Sequence, residues 1–128
     1  MKGSCFCGDV RFEISGDVPD LYQCHCSLCR KVSGAAANAA CVVPAARFAW
    51  LSGNERIASF VGNTGYRNDF CSRCGSPLPS TDGQSFWIPA GLFDEKTSAR
   101  VVRHIFVGSK ADWDEIGGSA PQFEERPE

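Results

Sequence analysis

The sequence predicts a small, mainly β domain with little helix, and three observations support this fold class. Short stretches of alternating apolar and polar residues are separated by glycines, as in half-buried strands joined by turns. The helical signal is confined to two short stretches, 26–33 and 95–98. All but one of the eight cysteines lie in three tight clusters. Metal binding is therefore expected to help hold the strands together.

The strand candidates follow one another along the chain, and they are 10–14, 35–43, 47–51, 56–61, 66–70, 85–90 and 101–107. The candidates 47–51 and 56–61 flank Ser52-Gly53-Asn54-Glu55. This short glycine-containing loop predicts a hairpin between them. A zinc-binding domain is expected over 1–117. The Gly-, Pro- and Glu-rich residues 118–128 predict a loosely attached C-terminal tail.

Composition and charge narrow the class of protein. At 128 residues, 43% hydrophobic and 22% charged, the chain has the size and composition of one globular domain. The net charge of -2 and the lack of a long basic block argue against nucleic-acid binding. No apolar run reaches the length of a membrane span, and no secretory signal precedes Cys5. We therefore expect a cytoplasmic protein, in which clustered thiols usually bind metal.

The outer cysteine pairs, Cys5-x-Cys7-Gly8 and Cys71-x-x-Cys74-Gly75, share one form. Each pair is followed directly by a glycine, which permits the positive φ of a sharp turn around a metal. Four thiolates complete a tetrahedral zinc shell, so the pairs predict a structural zinc held by Cys5, Cys7, Cys71 and Cys74. Free thiols, disulfides or an iron site are the alternatives, although rubredoxin-like iron sites use two Cys-x-x-Cys pairs.

The middle cluster, Cys24-His25-Cys26-Ser27-Leu28-Cys29, holds three thiols within six residues. Three ligands leave a fourth zinc position open to water or to a substrate thiol, which is typical of catalytic zinc. Arg30 and Lys31 follow directly and are candidates to bind an anionic substrate, or else belong to a solvated turn.

Other interpretations of the middle cluster stay open. Cys41, in an apolar stretch that favours a buried structural role, is a weaker candidate for the fourth ligand, and His104 is weaker still. Cys26-x-x-Cys29 also matches a redox dithiol, but Cys24 and the lack of a thioredoxin-like βαβ pattern argue against that function.

These motifs resemble those of the glutathione-dependent formaldehyde-activating enzyme and centromere protein V family. The resemblance extends beyond the cysteine clusters to Ser76-Pro77-Leu78, Ala90-Gly91-Leu92-Phe93-Asp94 and the segment from His104 to Trp113. It implies a β-tent fold, in which short antiparallel sheets meet around zinc. It also implies two zinc ions per chain, a structural one on the outer pairs and a catalytic one on Cys24, Cys26 and Cys29.

The activity that the resemblance implies is carbon–sulfur lyase or synthase chemistry. In the founding reaction glutathione condenses with formaldehyde to give S-hydroxymethylglutathione, so a small thiol and an aldehyde are the expected partners. Glutathione is the expected co-substrate. The alternative is a non-catalytic zinc-binding module for a protein or thiol ligand, which a fourth protein ligand on the middle cluster would favour. The sequence does not indicate an oligomeric state.

Overall fold

The computed structural model describes residues 1–127 and confirms a mainly β fold. The strands within this range are β1 Lys2–Ser4, β2 Arg11–Ile14, β3 Leu21–Cys24, β4 Asn38–Pro44, β5 Phe48–Ser52, β6 Ile57–Val61, β7 Arg67–Cys71, β8 Ser80–Thr81, β9 Ser85–Pro89 and β10 Val101–Ile105. One α-helix, α1 Ser27–Ser33, lies between β3 and β4. It confirms the helix predicted over 26–33.

The strands form three small sheets. Their strand orders are β1-β2-β5, β10-β3-β4-β9-β8 and β6-β7. All the pairs are antiparallel except β10 and β3, which run parallel. This parallel pair brings the chain's last strand beside Cys24, since Ile105 and Cys24 are register partners.

The main core lies between the first two sheets. Phe12 and Ile14 of β2 face Cys41 and Val43 of β4, and all four are buried. Aromatic rings close this core, with the Phe48 and Phe86 ring centroids 3.8 Å apart in a stacked arrangement. Burial of these apolar side chains fixes the sheets relative to each other.

The predicted hairpin between 47–51 and 56–61 is wrong, because the two strands belong to different sheets. β5 pairs with β2, and β6 pairs with β7. A short 3-10 turn at Asn54–Arg56 redirects the chain between them. Gly53 lies so close to the backbone of Asp9 that an added Cβ would collide with the Asp9 carbonyl oxygen. The loop therefore packs on the first sheet instead of closing a hairpin.

The helical turn predicted over 95–98 is also wrong, since this stretch of the described chain forms a loop. The residue just before this loop is hydrogen-bonded to β1, since the Asp94 N–H donates to the Lys2 carbonyl at 2.9 Å. The Glu95 carboxylate accepts from the Lys2 N–H at 2.5 Å. These contacts with β1 take the place of a local helical turn.

Residues 121–125 of the predicted tail lie alongside the end of β10. Backbone hydrogen bonds join His104 to Pro121 and Phe123, and Phe106 to Glu125. The domain boundary at 117 stays a prediction, while these bonds show where the segment beyond it is attached. Within the part of the chain that the structure describes, no helix is long and apolar enough to cross a membrane.

Candidate metal centres

The outer cysteine pairs converge at one place, named here the four-thiol site. Cys5 and Cys7 lie in the turn after β1, while Cys71 ends β7 and Cys74 follows in the next turn. The four sulfur atoms lie within 4.8 Å of one another. Because 64 residues separate Cys7 from Cys71, the site joins distant parts of the chain.

Both cysteine turns have the backbone conformation that the glycines predicted. Gly8 and Gly75 have φ values of 83° and 80°, in the left-handed region. The Gly8 N–H donates to the Cys5 carbonyl at 3.0 Å, and the Gly75 N–H donates to the Cys71 carbonyl at 2.8 Å. These turns direct the paired thiols toward a common centre.

Ser76 connects the two turns, a role that the sequence analysis did not predict although it named Ser76 within the family motif. Its hydroxyl accepts from the Phe6 N–H at 2.8 Å and from the Cys74 thiol at 3.4 Å. Its carbonyl accepts from the Cys71 N–H at 3.0 Å. No spacing rule marks this serine as the link to the first cysteine turn, because Phe6 lies 70 residues away in the sequence.

The four-thiol site fits a tetrahedral soft metal ion. The donor set consists of four free thiols, of which Cys5 and Cys71 are buried. The Val10 N–H points at the Cys5 sulfur at 3.4 Å, and such a hydrogen bond stabilises a thiolate. Four sulfur ligands in this arrangement are typical of structural zinc.

The middle cluster forms a second site, named here the three-thiol site, where β3 meets α1. Cys24 ends β3, Cys26 caps the N-terminus of α1, and Cys29 lies in its first turn. Their sulfur atoms lie within 4.8 Å of one another. The Cys29 N–H donates to the Cys26 sulfur at 3.3 Å, so the helix cap itself orients one thiol.

The three-thiol site favours negative charge on one sulfur. Hydrogen bonding from Cys29 lowers the pKa of the Cys24 thiol to about 6, against the opposing effect of burial. The same hydrogen bond raises the pKa of Cys29. Cys24 therefore loses its proton more readily than Cys29, and a bound cation would favour the thiolate form of its ligands.

Neither Cys41 nor His104 belongs to the three-thiol site. Cys41 is buried in the main core, where burial raises the pKa of its thiol to about 11. His104 lies in β10, with its Nδ1 3.0 Å from Nε2 of His25. Both positions agree with the structural roles that the sequence favoured for these residues.

Tyr66 is a side chain from elsewhere in the fold that reaches the three-thiol site. It lies in the loop between β6 and β7, and its hydroxyl is 3.5 Å from the Cys29 sulfur. Burial raises the pKa of this hydroxyl, and the hydrogen bond with Cys29 adds to the effect, so it carries its proton at neutral pH. Sequence reasoning treated Tyr66 only as the start of a strand.

A buried histidine pair supports the turn that carries Cys24 and Cys26. His25 is 1% and His104 5% exposed. Burial lowers the pKa of His25, so its ring is neutral at pH 7. The backbone N–H of His25 also donates to the Ile105 carbonyl at 3.0 Å. Backbone and ring together hold the turn against β10.

Arg30 and Lys31 lie in α1, directly after Cys29. Lys31 is exposed, whereas Arg30 is partly buried. The Arg30 Nε atom is buried and has no hydrogen-bond partner among residues 1–127. A role for either residue in substrate binding stays a prediction.

A cavity of about 850 Å³ lies on the other side of the five-stranded sheet from Cys24. Gln23 and His104 line it. Because Gln23 and Cys24 are consecutive in β3, their side chains point to opposite faces. The cavity is therefore behind the three-thiol site and does not form part of it.

Comparisons with known proteins agree with this geometry. The profile of the family described as "Glutathione-dependent formaldehyde-activating enzyme" matches residues 1–109. A Halomonas elongata protein described as "Putative glutathione-dependent formaldehyde-activating enzyme" is 31% identical over 91% of this chain and 80% of its own length. A crystal structure of a Rhodobacter sphaeroides protein superposes with a TM-score of 0.60, covering 79% of this chain and 99% of that one. At 21% identity, that likeness shows a shared fold.

Proposed function

Because this chain belongs to the glutathione-dependent formaldehyde-activating enzyme family, we propose that it forms and cleaves the carbon–sulfur bond between glutathione, or a related small thiol, and formaldehyde. The observation that carries this proposal is the three-thiol site with a tyrosine hydroxyl at its side. The four-thiol site has a complete ligand set of its own. It therefore has a structural role in this proposal.

Both sites have donor sets that suit zinc, so the proposal includes two zinc ions per chain. Cys24, Cys26 and Cys29 would hold the catalytic ion, and Cys5, Cys7, Cys71 and Cys74 the structural one. When bound to three thiolates, zinc supplies a fourth position that favours the thiolate form of a substrate and polarises an aldehyde oxygen.

The reaction requires one bond to form and one proton to move. The sulfur of the thiol attacks the carbonyl carbon of formaldehyde, and the electron pair of the C=O π bond moves to oxygen. The thiol proton is lost and the new alkoxide oxygen gains a proton, so the product is a hydroxymethyl thioether. The reverse sequence releases the thiol and formaldehyde.

Tyr66 is positioned to assist at the oxygen. Its hydroxyl lies 3.5 Å from the Cys29 sulfur and is half-buried, so it can donate a hydrogen bond to an oxygen bound beside that sulfur. A positioned donor stabilises the charge that develops on oxygen in the transition state. Arg30 and Lys31, on α1 just beyond Cys29, are the residues predicted to bind an anionic substrate.

We place this chemistry in the cytoplasm. Within residues 1–127 all eight cysteines are free thiols, the state that a reducing compartment maintains and that metal binding requires. Glutathione is a thiol of such compartments.

The test is the consumption of glutathione and formaldehyde by zinc-loaded protein, compared with the spontaneous reaction in the same buffer. We expect acceleration that depends on protein concentration and disappears with Cys26→Ser. Cys41→Ser is the matched control, since Cys41 is a thiol outside both sites. A rate equal to the spontaneous rate, in protein shown to hold two zinc ions, would contradict the proposal.

A further inference from the structure

The cavity on the other side of the five-stranded sheet lies apart from both cysteine sites. β10 and the neighbouring β3 form one wall, with His104 and Gln23 among the lining residues. Residues 35–37 and 114–120, most of them small, form most of the rest. Its volume of about 850 Å³ is within the range of small-molecule sites. The cavity therefore has room for a ligand that does not reach the thiols.

Arg100 provides a positive charge at the start of β10. Its guanidinium donates to the Ala99 carbonyl at 2.9 Å, which restricts the side chain. Arg100 lines the cavity and forms no ion pair with a carboxylate of residues 1–127. Its remaining N–H groups are therefore available to an anionic group of a ligand.

Asp114 and Glu115 provide negative charge near the other end of β10, and both line the cavity. The Asp114 carboxylate lies 4.0 Å from Nδ1 of His25, whose ring contacts His104. Glu115 forms no ion pair within the part of the chain that the structure describes. The nearby Lys110 ammonium donates to the Asp114 backbone carbonyl at 2.8 Å. The two carboxylates can therefore accept hydrogen bonds from a ligand.

The buried histidine pair adds a hydrogen-bond acceptor at this acidic end. The Asp114 carboxylate favours the proton on Nδ1 of His25, so Nε2 of His25 accepts from Nδ1 of His104 at 3.0 Å. Nε2 of His104 is then an acceptor. It has no hydrogen-bond partner among residues 1–127, yet it is not closed off from solvent, although His104 is only 5% exposed. Since His104 lines the cavity, this nitrogen is available to a donor bound there.

We propose that the cavity binds a dipeptide with free termini, its ammonium at the His104 end and its carboxylate on Arg100. Arg100 and His104 are four positions apart in extended chain, which corresponds to about 13 Å. A dipeptide is about 7 Å long, so it spans this distance with one hydrogen bond of about 3 Å at each end. The inference goes beyond the proposed function and does not depend on it.

The charges and the walls together select this ligand class. A guanidinium binds a carboxylate through two parallel hydrogen bonds, whereas carboxylates and an imidazole acceptor suit an ammonium. A single amino acid is too short to reach both ends, because one residue spans only about 3.5 Å. Val101, Val102 and Ile116 add apolar surface between the charged ends, which suits small apolar side chains on the peptide.

The experiment varies the ligand first. Dialanine is titrated into zinc-loaded protein by calorimetry, beside N-acetyl-dialanine, which lacks the ammonium, and dialanine amide, which lacks the carboxylate. We expect either cap to weaken binding by about tenfold, the typical effect of losing one charged hydrogen-bonded contact. Free alanine should bind no better than the capped peptides, since it cannot reach both ends.

The protein is then varied against the same ligands. Arg100→Gln should weaken dialanine binding by about tenfold but leave dialanine amide unchanged, because the amide has no carboxylate to lose. Glu115→Gln should weaken dialanine by about threefold and leave N-acetyl-dialanine unchanged. Lys31→Gln and Glu55→Gln are the matched controls, since each removes an exposed charge outside the cavity, and neither should alter binding.

Each outcome decides for or against the dipeptide site. Equal affinity for dialanine and its capped forms would overturn the inference, as would the absence of binding to the wild type. An equal loss for dialanine and its amide in Arg100→Gln would mean that Arg100 maintains the cavity without binding the carboxylate, and would also overturn it. None of the probes carries a thiol, so selective binding would support the site even if the protein did not accelerate the reaction with formaldehyde.

Discussion

The two cysteine sites differ in how they are assembled as well as in their number of thiols. The four-thiol site joins two turns from distant parts of the chain, and its buried members Cys5 and Cys71 share a small core with Val10 and Leu78. The three-thiol site is local to residues 24–29, where a strand passes into a helix. Its free side faces Tyr66, not a fourth cysteine. We therefore propose that the four-thiol site, which cross-links the chain, sustains the fold, and that the three-thiol site carries the chemistry.

The largest expected effect is on stability, from Cys71→Ser. Cys71 is fully buried and is one of four ligands, so its loss removes metal binding and a long-range connection together. We expect the free energy of unfolding to fall by more than about 4 kcal/mol, a loss typical of a lost metal site. Urea denaturation followed by circular dichroism measures it.

Cys41→Ser is the matched control for that prediction, because Cys41 is equally buried but belongs to no metal site. Burying one extra hydroxyl should cost only about 1–3 kcal/mol. Equal losses for the two variants would mean that the four-thiol site contributes nothing beyond packing.

The second effect is on activity, from Cys26→Ser in the three-thiol site. Serine is a good N-cap, so α1 should begin normally and the melting temperature should change little. We expect metal content to fall from two ions to one and the reaction rate to fall by about 100-fold or more. Elemental analysis and the glutathione–formaldehyde assay measure these. Unfolding of this variant would show that both sites are structural.

Tyr66→Phe should have a smaller effect and should leave the metal content at two. It removes the hydroxyl beside Cys29 but keeps the ring, so the rate should fall by about tenfold to a hundredfold. Tyr22→Phe is the control, since Tyr22 lies near the same thiols but forms no side-chain hydrogen bond with them among the described residues. A similar loss in both variants would indicate a general effect of hydroxyls near the site.

The smallest effect is expected from Gly75→Ala in the four-thiol site. Gly75 has φ of 80° and nothing within 4 Å of an added Cβ, so the substitution costs backbone strain alone. We expect a loss of about 1–2 kcal/mol in unfolding free energy, with both metals retained. Gly91→Ala should be neutral by the same measurement, since it also has open space and its φ lies outside the positive range.

The sequence was most informative where neighbouring residues determine the geometry. The convergence of Cys24, Cys26 and Cys29, the positive φ of Gly8 and Gly75, and the helix after Cys26 are all local consequences of residue type and spacing. Each could be predicted because a metal turn or a helix cap needs only a few consecutive residues.

Long-range contacts were not predictable in the same way. The loop around Gly53 has the composition of a hairpin, yet its contact with Asp9 sends β6 to another sheet. Tyr66 reaches the three-thiol site through the fold, and nothing in its local sequence indicates it. Side chains that come from a different part of the chain leave no periodic pattern to detect.

The positions of the ligands along the sequence also determine the order in which the two sites can acquire metal during synthesis. All ligands of the three-thiol site are present once residue 29 has been made, whereas the four-thiol site needs residue 74. Closing a short loop in an unfolded chain costs less entropy than closing one of more than sixty residues. The nascent chain is therefore expected to take its first metal at the three-thiol site, and to fill the four-thiol site later.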